Sequence, residues 1–220
     1  MVQKSANPET FAAMARASGR GWGRGLLVLP LLWLLAACVA PSGPGVSGKP
    51  TTLSLLKGEI LATAPRGYCA DKASSHDNGN SAVILMGRCP GSAADPALIS
   101  VAVGAPGSSA VLKSGAKALS DYFLSPPGRA ALARDGRPGS VRVAKTLLSE
   151  GALVLRVEDR NAGAYWRAVL GLKGRLVSVS VMAPEGAVLS EAAGRRILDA
   201  TIAAMQRANQ GGTAAAAQAG

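Results

Sequence analysis

Residues 141–182 read VRVAKTLLSEGALVLRVEDRNAGAYWRAVLGLKGRLVSVSVM, and apolar side chains recur in them at every second position. Val141, Val143 and Leu147 fall on one face, and Leu153, Leu155 and Val157 follow a turn at Ser149-Glu150-Gly151. Trp166, Ala168 and Leu170 precede a second turn at Leu172-Lys173-Gly174, after which Val177, Val179 and Val181 alternate with Ser178 and Ser180. A period of two marks a half-buried strand, and turns this short join only antiparallel neighbours. The stretch predicts a four-strand antiparallel meander with one buried face, ended by Pro184.

Helical periods flank the meander. Downstream, Ser190 can cap a helix that carries Leu189, Ala193, Ile197, Thr201 and Ala204 on one stripe, with Leu198, Ile202 and Met205 beside it. Upstream, Ser108 or Ser109 can cap a helix with Leu112, Ala116, Leu119 and Phe123 on one face. Ser125-Pro126-Pro127 stops that helix and starts a short one over 127–134, closed by Gly136. Before them stand short apolar runs at 51–56, 59–64, 82–86 and 98–103. Strands, helices, strands, helix is the order of an α+β fold, an antiparallel sheet with two main helices packed on it. The order is similar to a PsbP/Mog1-like arrangement, a resemblance of element order alone.

Residues 51–209 read as this single domain, and the low-complexity run over 210–220 reads as a disordered tail. Composition narrows the chemistry. The 220 residues hold 24 Lys and Arg against 13 Asp and Glu, a net charge of +11, with one His and three Cys. So few ligating side chains exclude zinc fingers and multi-histidine metal centres, and no cofactor is expected.

The N-terminus reads as an address. Arg16, Arg20 and Arg24 precede an apolar run over 26–37, within the length of a signal-peptide core and too short to span a bilayer. Leu35-Ala36-Ala37-Cys38 then resembles a bacterial lipobox. Small residues admit the peptidase, and the thiol takes diacylglycerol as a thioether. The resemblance implies a lipoprotein signal peptide over 1–37, with Met1 or Met14 as its start, and a lipidated, palmitate-bearing Cys38. Residues 38–50, rich in Pro, Gly and Ser, then form a flexible tether. Losing 1–37 removes four basic residues and one acidic one, leaving +8. Val39, where inner-membrane retention has Asp, implies the periplasmic leaflet of the outer membrane.

Cys69 and Cys89 remain, an even pair in an oxidising compartment, and are expected to form a disulfide around the polar, turn-rich loop 71–80. A redox or metal pair would call for Cys-x-x-Cys spacing or further ligands. Pro65-Arg-Gly-Tyr-Cys-Ala-Asp71 followed by Ile84-Leu-Met-Gly-Arg-Cys89 resembles a group of uncharacterised Gram-negative envelope lipoproteins over about 25 residues. That resemblance implies a lipid-anchored, disulfide-containing periplasmic domain without assigned activity. A cation-transport ATPase is excluded, because Asp71-Lys72-Ala73-Ser74 lacks the Asp-Lys-Thr-Gly of a phosphorylated aspartate.

Four runs invite catalytic or binding readings. Gly43-Pro-Gly-Val-Ser-Gly-Lys49 fits seven positions of a P-loop, but Pro50 stands where Ser or Thr must hold Mg²⁺. Ser74-Ser75-His76-Asp77 holds the residue types of a hydrolase triad, yet neighbours in one loop rarely converge as a triad must. Glu158-Asp159, flanked by Arg156 and Arg160, reads as a charged strand end rather than an acid/base pair. Tyr165-Trp166 could form a sugar platform, but alternation puts Trp166 in the core. The basic residues are scattered, with Arg195-Arg196 the sole adjacent pair, and nominate no stripe.

The expectation is a lipid-anchored, periplasm-facing module with a structural or accessory binding role in the cell envelope and without a catalytic constellation. Its partners would be the membrane, through the anchor, and anionic envelope polymers or proteins; the compartment and the few aromatics disfavour nucleic acid. Two other readings stand beside it. One is a periplasmic hydrolase or peptidoglycan-acting enzyme; the other is a lipid or small-ligand carrier with an apolar cavity between sheet and helices.

Overall fold

In the computed structural model, residues 51–217 are described, with side chains as far as residue 210. The leader, Cys38, the P-loop-like run and the tether lie outside the described residues. The meander is present as β6 (Val141–Ser149), β7 (Ala152–Asp159), β8 (Gly163–Leu172) and β9 (Arg175–Met182). Two of its turns are two-residue hairpins. Glu150 and Gly151 have φ of 52° and 71°, Lys173 and Gly174 have 46° and 77°, and they join Ser149 to Ala152 and Leu172 to Arg175. Positive φ at both positions matches the right-handed twist of the strands, and glycine supplies the second position without steric penalty.

β9 does not end the sheet. It pairs with β5 (Leu98–Val103), from Leu98 opposite Met182 to Val103 opposite Val177. β5 pairs in turn with β4 (Ala82–Arg88), and β4 with β3 (Tyr68–Asp77). The result is a seven-stranded antiparallel sheet in the order β3-β4-β5-β9-β8-β7-β6. A separate hairpin of β1 (Thr52–Leu55) and β2 (Ile60–Thr63) accompanies it, so the fold is α+β as expected.

Three differences from the sequence reading have physical causes. First, the polar pattern of residues 71–80 predicts a loop, yet most of them belong to β3. As an edge strand β3 has no apolar face to alternate; it is exposed over most of its length and bulges between Asp71 and His76. Second, the meander is buried on both faces at its centre, not on one. Ala152 and Val154 join the cluster under α3 (Glu191–Ala217), while Leu153, Leu155 and Val157 join a second cluster. That second cluster packs against α1 (Gly115–Leu124) and α2 (Pro126–Leu132). Third, Ser108 and Ser109 open a 3₁₀ turn over Ser108–Ser114 rather than α1 itself, and the Ser108 hydroxyl accepts from the Leu176 amide at 2.8 Å.

Ser190 caps α3 as its position predicts, its hydroxyl accepting from the Ala193 amide at 3.1 Å. Ala193, Ile197, Thr201 and Ala204 are buried along the predicted stripe, and Leu198, Ile202 and Met205 are fully buried beside it. The helix continues to Ala217, beyond the bound of 209 set for the domain. Near that bound Asn209 donates to the Leu61 carbonyl at 2.8 Å and accepts from its amide at 3.0 Å. One side chain thus stands in for a neighbouring strand and fastens α3 to the β1–β2 hairpin. Among the described residues no helix is long and apolar enough to cross a membrane.

The junction of α1 and α2 depends on Gly128. Ser125 caps α2 through the Gly128 amide, and a Cβ on Gly128 would meet the Tyr122 carbonyl oxygen at 1.9 Å. Gly128→Ala is expected to lower unfolding stability by about 1–3 kcal/mol, the range for overpacking. Gly139→Ala, with nothing within 4 Å of its Cβ, should stay within about 0.5 kcal/mol. Urea unfolding of both variants checks the pair, and equal midpoints would remove the close approach as the reason for glycine.

Candidate functional site

Adjacent residues of a strand point to opposite faces, and this settles two of the sequence-nominated sites. Tyr165 and Trp166 are 2% and 4% exposed, one in each core cluster, so neither presents a ring to a sugar. The Tyr165 hydroxyl donates to the Leu132 carbonyl of α2 at 2.8 Å, and burial pushes its pKa up. The Trp166 indole donates to the Glu191 carbonyl of α3 at 2.9 Å, with the guanidiniums of Arg156 and Arg195 each 5.4 Å from its ring. Glu158 and Asp159 likewise part company. Glu158 pairs with Arg142 across the β6–β7 ladder, whereas Asp159 is buried and accepts from the amides of Arg134 at 2.8 Å and Asn161 at 2.7 Å.

Ser74, Ser75, His76 and Asp77 lie along edge strand β3 and form no triad. Asp77 accepts from the Leu56 amide at 2.7 Å and the Gly79 amide at 2.8 Å, which together hold its carboxyl below the usual range. Cys69 and Cys89 stand at disulfide distance, with an S–S separation of 1.95 Å. Cys69 lies opposite Gly87 in the β3–β4 register, so the pair fastens the end of that hairpin away from its turn. Among the described residues no group of three or more His, Cys, Asp or Glu is placed to hold a metal ion.

A buried guanidinium stands at the head of β9. Arg175 is 2% exposed; its Nε and Nη2 donate to the two carboxylate oxygens of Glu59 at 2.8 and 2.7 Å. Its Nη1 donates to the carbonyls of Asn80 at 2.6 Å and Gly104 at 2.9 Å. Buried charges often mark functional sites. Here four donated hydrogen bonds go to protein acceptors, so the group holds the fold. The hydrogen bonds from Arg175 keep the Glu59 carboxyl below its ordinary value.

Open concavity lies at the other end of the sheet, along β6. One groove of about 530 Å³ is lined by Ser140, Arg142, Glu158, Asp159, Arg160 and Gly163, among others. A second, of about 340 Å³, shares Gly139, Val141 and Arg142 and adds Leu124, Arg129 and Val143. Arg160 donates to the Gly139 carbonyl, and Arg129 to the carbonyls of Leu124 at 2.7 Å and Pro138 at 3.3 Å. Arg134 and Arg137 stand exposed on the loop that leads into Pro138 and Gly139 of the groove lining. Among the described residues none of Arg129, Arg134, Arg137 and Arg160 has a carboxylate within 4 Å.

The sequence reading missed this corner because its arginines are spread over 32 positions. The β6–β7 hairpin and the β7–β8 turn bring Arg142 and Arg160 into one groove. A local charge count over 129–160, seven basic residues against four acidic, is the signal that would have flagged it.

No family model matches the chain, and no curated protein matches it. Among solved structures it is similar to a point mutant of the protein Mog1, at 11% identity over 73% of this chain and 94% of that one, with a TM-score of 0.39. It is also similar to the Ran-binding protein Mog1p of Saccharomyces cerevisiae, at 11% identity over 74% of this chain and 95% of that one, with a TM-score of 0.38.

The Arg175–Glu59 pair carries a pH signature. A carboxyl whose folded pKa is lowered contributes stability above its unfolded value and loses it as pH falls through the folded one. Glu59, Asp71, Asp77, Asp135 and Glu191 are all lowered. The urea midpoint is expected to hold at neutral pH and fall below about pH 4.5, an ordinary Glu value. Arg175→Met should lower the midpoint at pH 7 and make the acid decline shallower, since Glu59 then titrates normally. Parallel acid profiles for the two proteins would sink this assignment.

Proposed function

We propose that this chain is a lipid-anchored module of the bacterial envelope, held by Cys38 on the periplasmic leaflet, that binds rather than catalyses. The observation that carries the reading is Leu35-Ala36-Ala37-Cys38, placed directly after a basic stretch and an apolar core. Residues 39–50 separate Cys38 from the domain. Twelve residues span at most about 40 Å extended, and about 20 Å as a random Gly-rich coil. The domain would therefore work within one protein diameter of the lipid surface.

The geometry fits a binder in two ways. Its buried charged side chains, Asp159 and Arg175, are engaged by amides, carbonyls and the Glu59 carboxylate of the fold, and its grooves are open and flanked by arginine. A carrier would need room between the sheet and α3, where Leu198, Ile202 and Met205 are fully buried in one cluster with Ile84, Val101 and Val179. The cysteine pair supports an oxidising compartment, where a bridge across a 20-residue separation contributes about 3 kcal/mol in the chain-entropy model.

Cys38→Ser is expected to move the protein from the membrane to the soluble fraction and to abolish labelling by radioactive palmitate; unchanged fractionation would refute the anchor. Alkylation of the membrane-extracted protein without reductant should leave Cys69 and Cys89 unmodified, and two alkylated thiols would refute the bridge.

A further inference from the structure

The β6 grooves combine concavity with a local excess of positive charge, in which Arg129, Arg134, Arg137, Arg142 and Arg160 stand against Asp135, Glu158 and Asp159. All three nearby carboxylates are committed. Asp159 accepts two amides, Glu158 pairs with Arg142, and Asp135 accepts from the Ser140 hydroxyl at 2.7 Å, the Asn161 amide group at 3.0 Å and the Arg137 amide at 2.9 Å. Arg129 and Arg160 direct their guanidiniums to main-chain carbonyls, which orient the charge without neutralising it. The two grooves share Gly139, Val141 and Arg142, so they adjoin at the edge strand β6.

We infer that these adjoining grooves bind a phosphate-bearing polyanionic chain, with Arg160 in one, Arg129 in the other and Arg142 between them. Guanidiniums from different elements suit phosphate better than carboxylate. A carboxylate presents one two-oxygen edge to one fork, whereas phosphate oxygens bridge two forks at once. A flat lipid surface fits less well, because Arg129 is half-buried and pinned under the carbonyls of Leu124 and Pro138. Strand addition by a peptide is opposed by the bulge between Val143 and Lys145 and by the exposed charges of Arg142 and Lys145 on this edge. The inference deepens the tethered-binder reading and rests on it for where the ligand is met.

The test is calorimetric titration of the purified full chain in detergent with inorganic tripolyphosphate, at two salt concentrations. Saturable binding is expected, weaker at higher salt, as counterion release requires. Arg142→Gln with Arg160→Gln should weaken it at least tenfold. Arg134→Gln with Arg137→Gln, whose side chains hold nothing in place, should weaken it several-fold with no change in melting temperature. Lys72→Gln with Lys113→Gln removes the same charge elsewhere and should leave binding within twofold. No binding, or an equal loss in the lysine control, would overturn the site. So would association with phosphatidylglycerol vesicles without tripolyphosphate binding, which would assign the charge to a lipid surface. Because the titration needs no membrane, its failure is distinguishable from failure of the anchor, which the fractionation of Cys38→Ser tests separately.

Discussion

A guanidinium sealed inside a protein must have every demand met, and Arg175 meets its own by drawing four segments together. Its acceptors come from Glu59 beside the β1–β2 hairpin, Asn80 in the β3–β4 turn and Gly104 after β5, while the residue itself begins β9. Removing Glu59 would strand a buried charge, and removing either carbonyl would leave the buried Nη1 short of an acceptor; both cost more than a lost surface contact. The last strand in the sequence is thereby registered between β5 and β8, where it joins the two halves of the sheet. The neighbouring turn reflects the same constraint. Leu56 and Lys57 adopt φ of 53° and 60°, unfavourable for side-chain-bearing residues, and burial of Leu56 with the Asp77 bond to its amide holds them there.

β8 performs the matching task across the layers. Tyr165 and Trp166 leave it in opposite directions, each ending in a hydrogen bond to a helical carbonyl, Leu132 on α2 and Glu191 on α3. Alternation places the rings, burial supplies most of the free energy, and the polar tips fix the position of each helix along the strand. Gly128 and Asn209 then close the two outer layers, one by permitting α2 to approach the Tyr122 carbonyl and the other by stitching α3 to β2.

Legibility in the sequence follows from how local each cause is. The meander is readable because its apolar period and its turns are set within ten residues, and the cap at Ser190 because it is set within four. β3 is not, since an edge strand with little to bury carries no period. Burial of both sheet faces is hidden for a related reason: the second face is covered by helices whose approach depends on contacts more than 20 residues away. Arg175 and Glu59 are 116 positions apart, and nothing near either one distinguishes them from a surface pair. The cysteine pair is readable from parity and compartment, while the groove arginines look scattered until two turns fold them together.

The sheet handles charge differently at its two ends. At the Leu172–Arg175 end, a buried cation is paired with the more exposed Glu59 carboxylate, so the charge cancels within the fold and serves its architecture. At the Gly163 end, Asp159 turns inward to satisfy amides and Glu158 pairs with Arg142, while Arg129 and Arg160 turn onto carbonyls and Arg134 and Arg137 stand in solvent. Folding requires the first arrangement, because an unpaired charge at Arg175 would be buried. It does not require the second: Arg134 and Arg137 are exposed, and neutral side chains there would leave every described hydrogen bond intact. Charge that folding does not need, gathered at one concave edge, points to interaction outside the domain rather than stability within it.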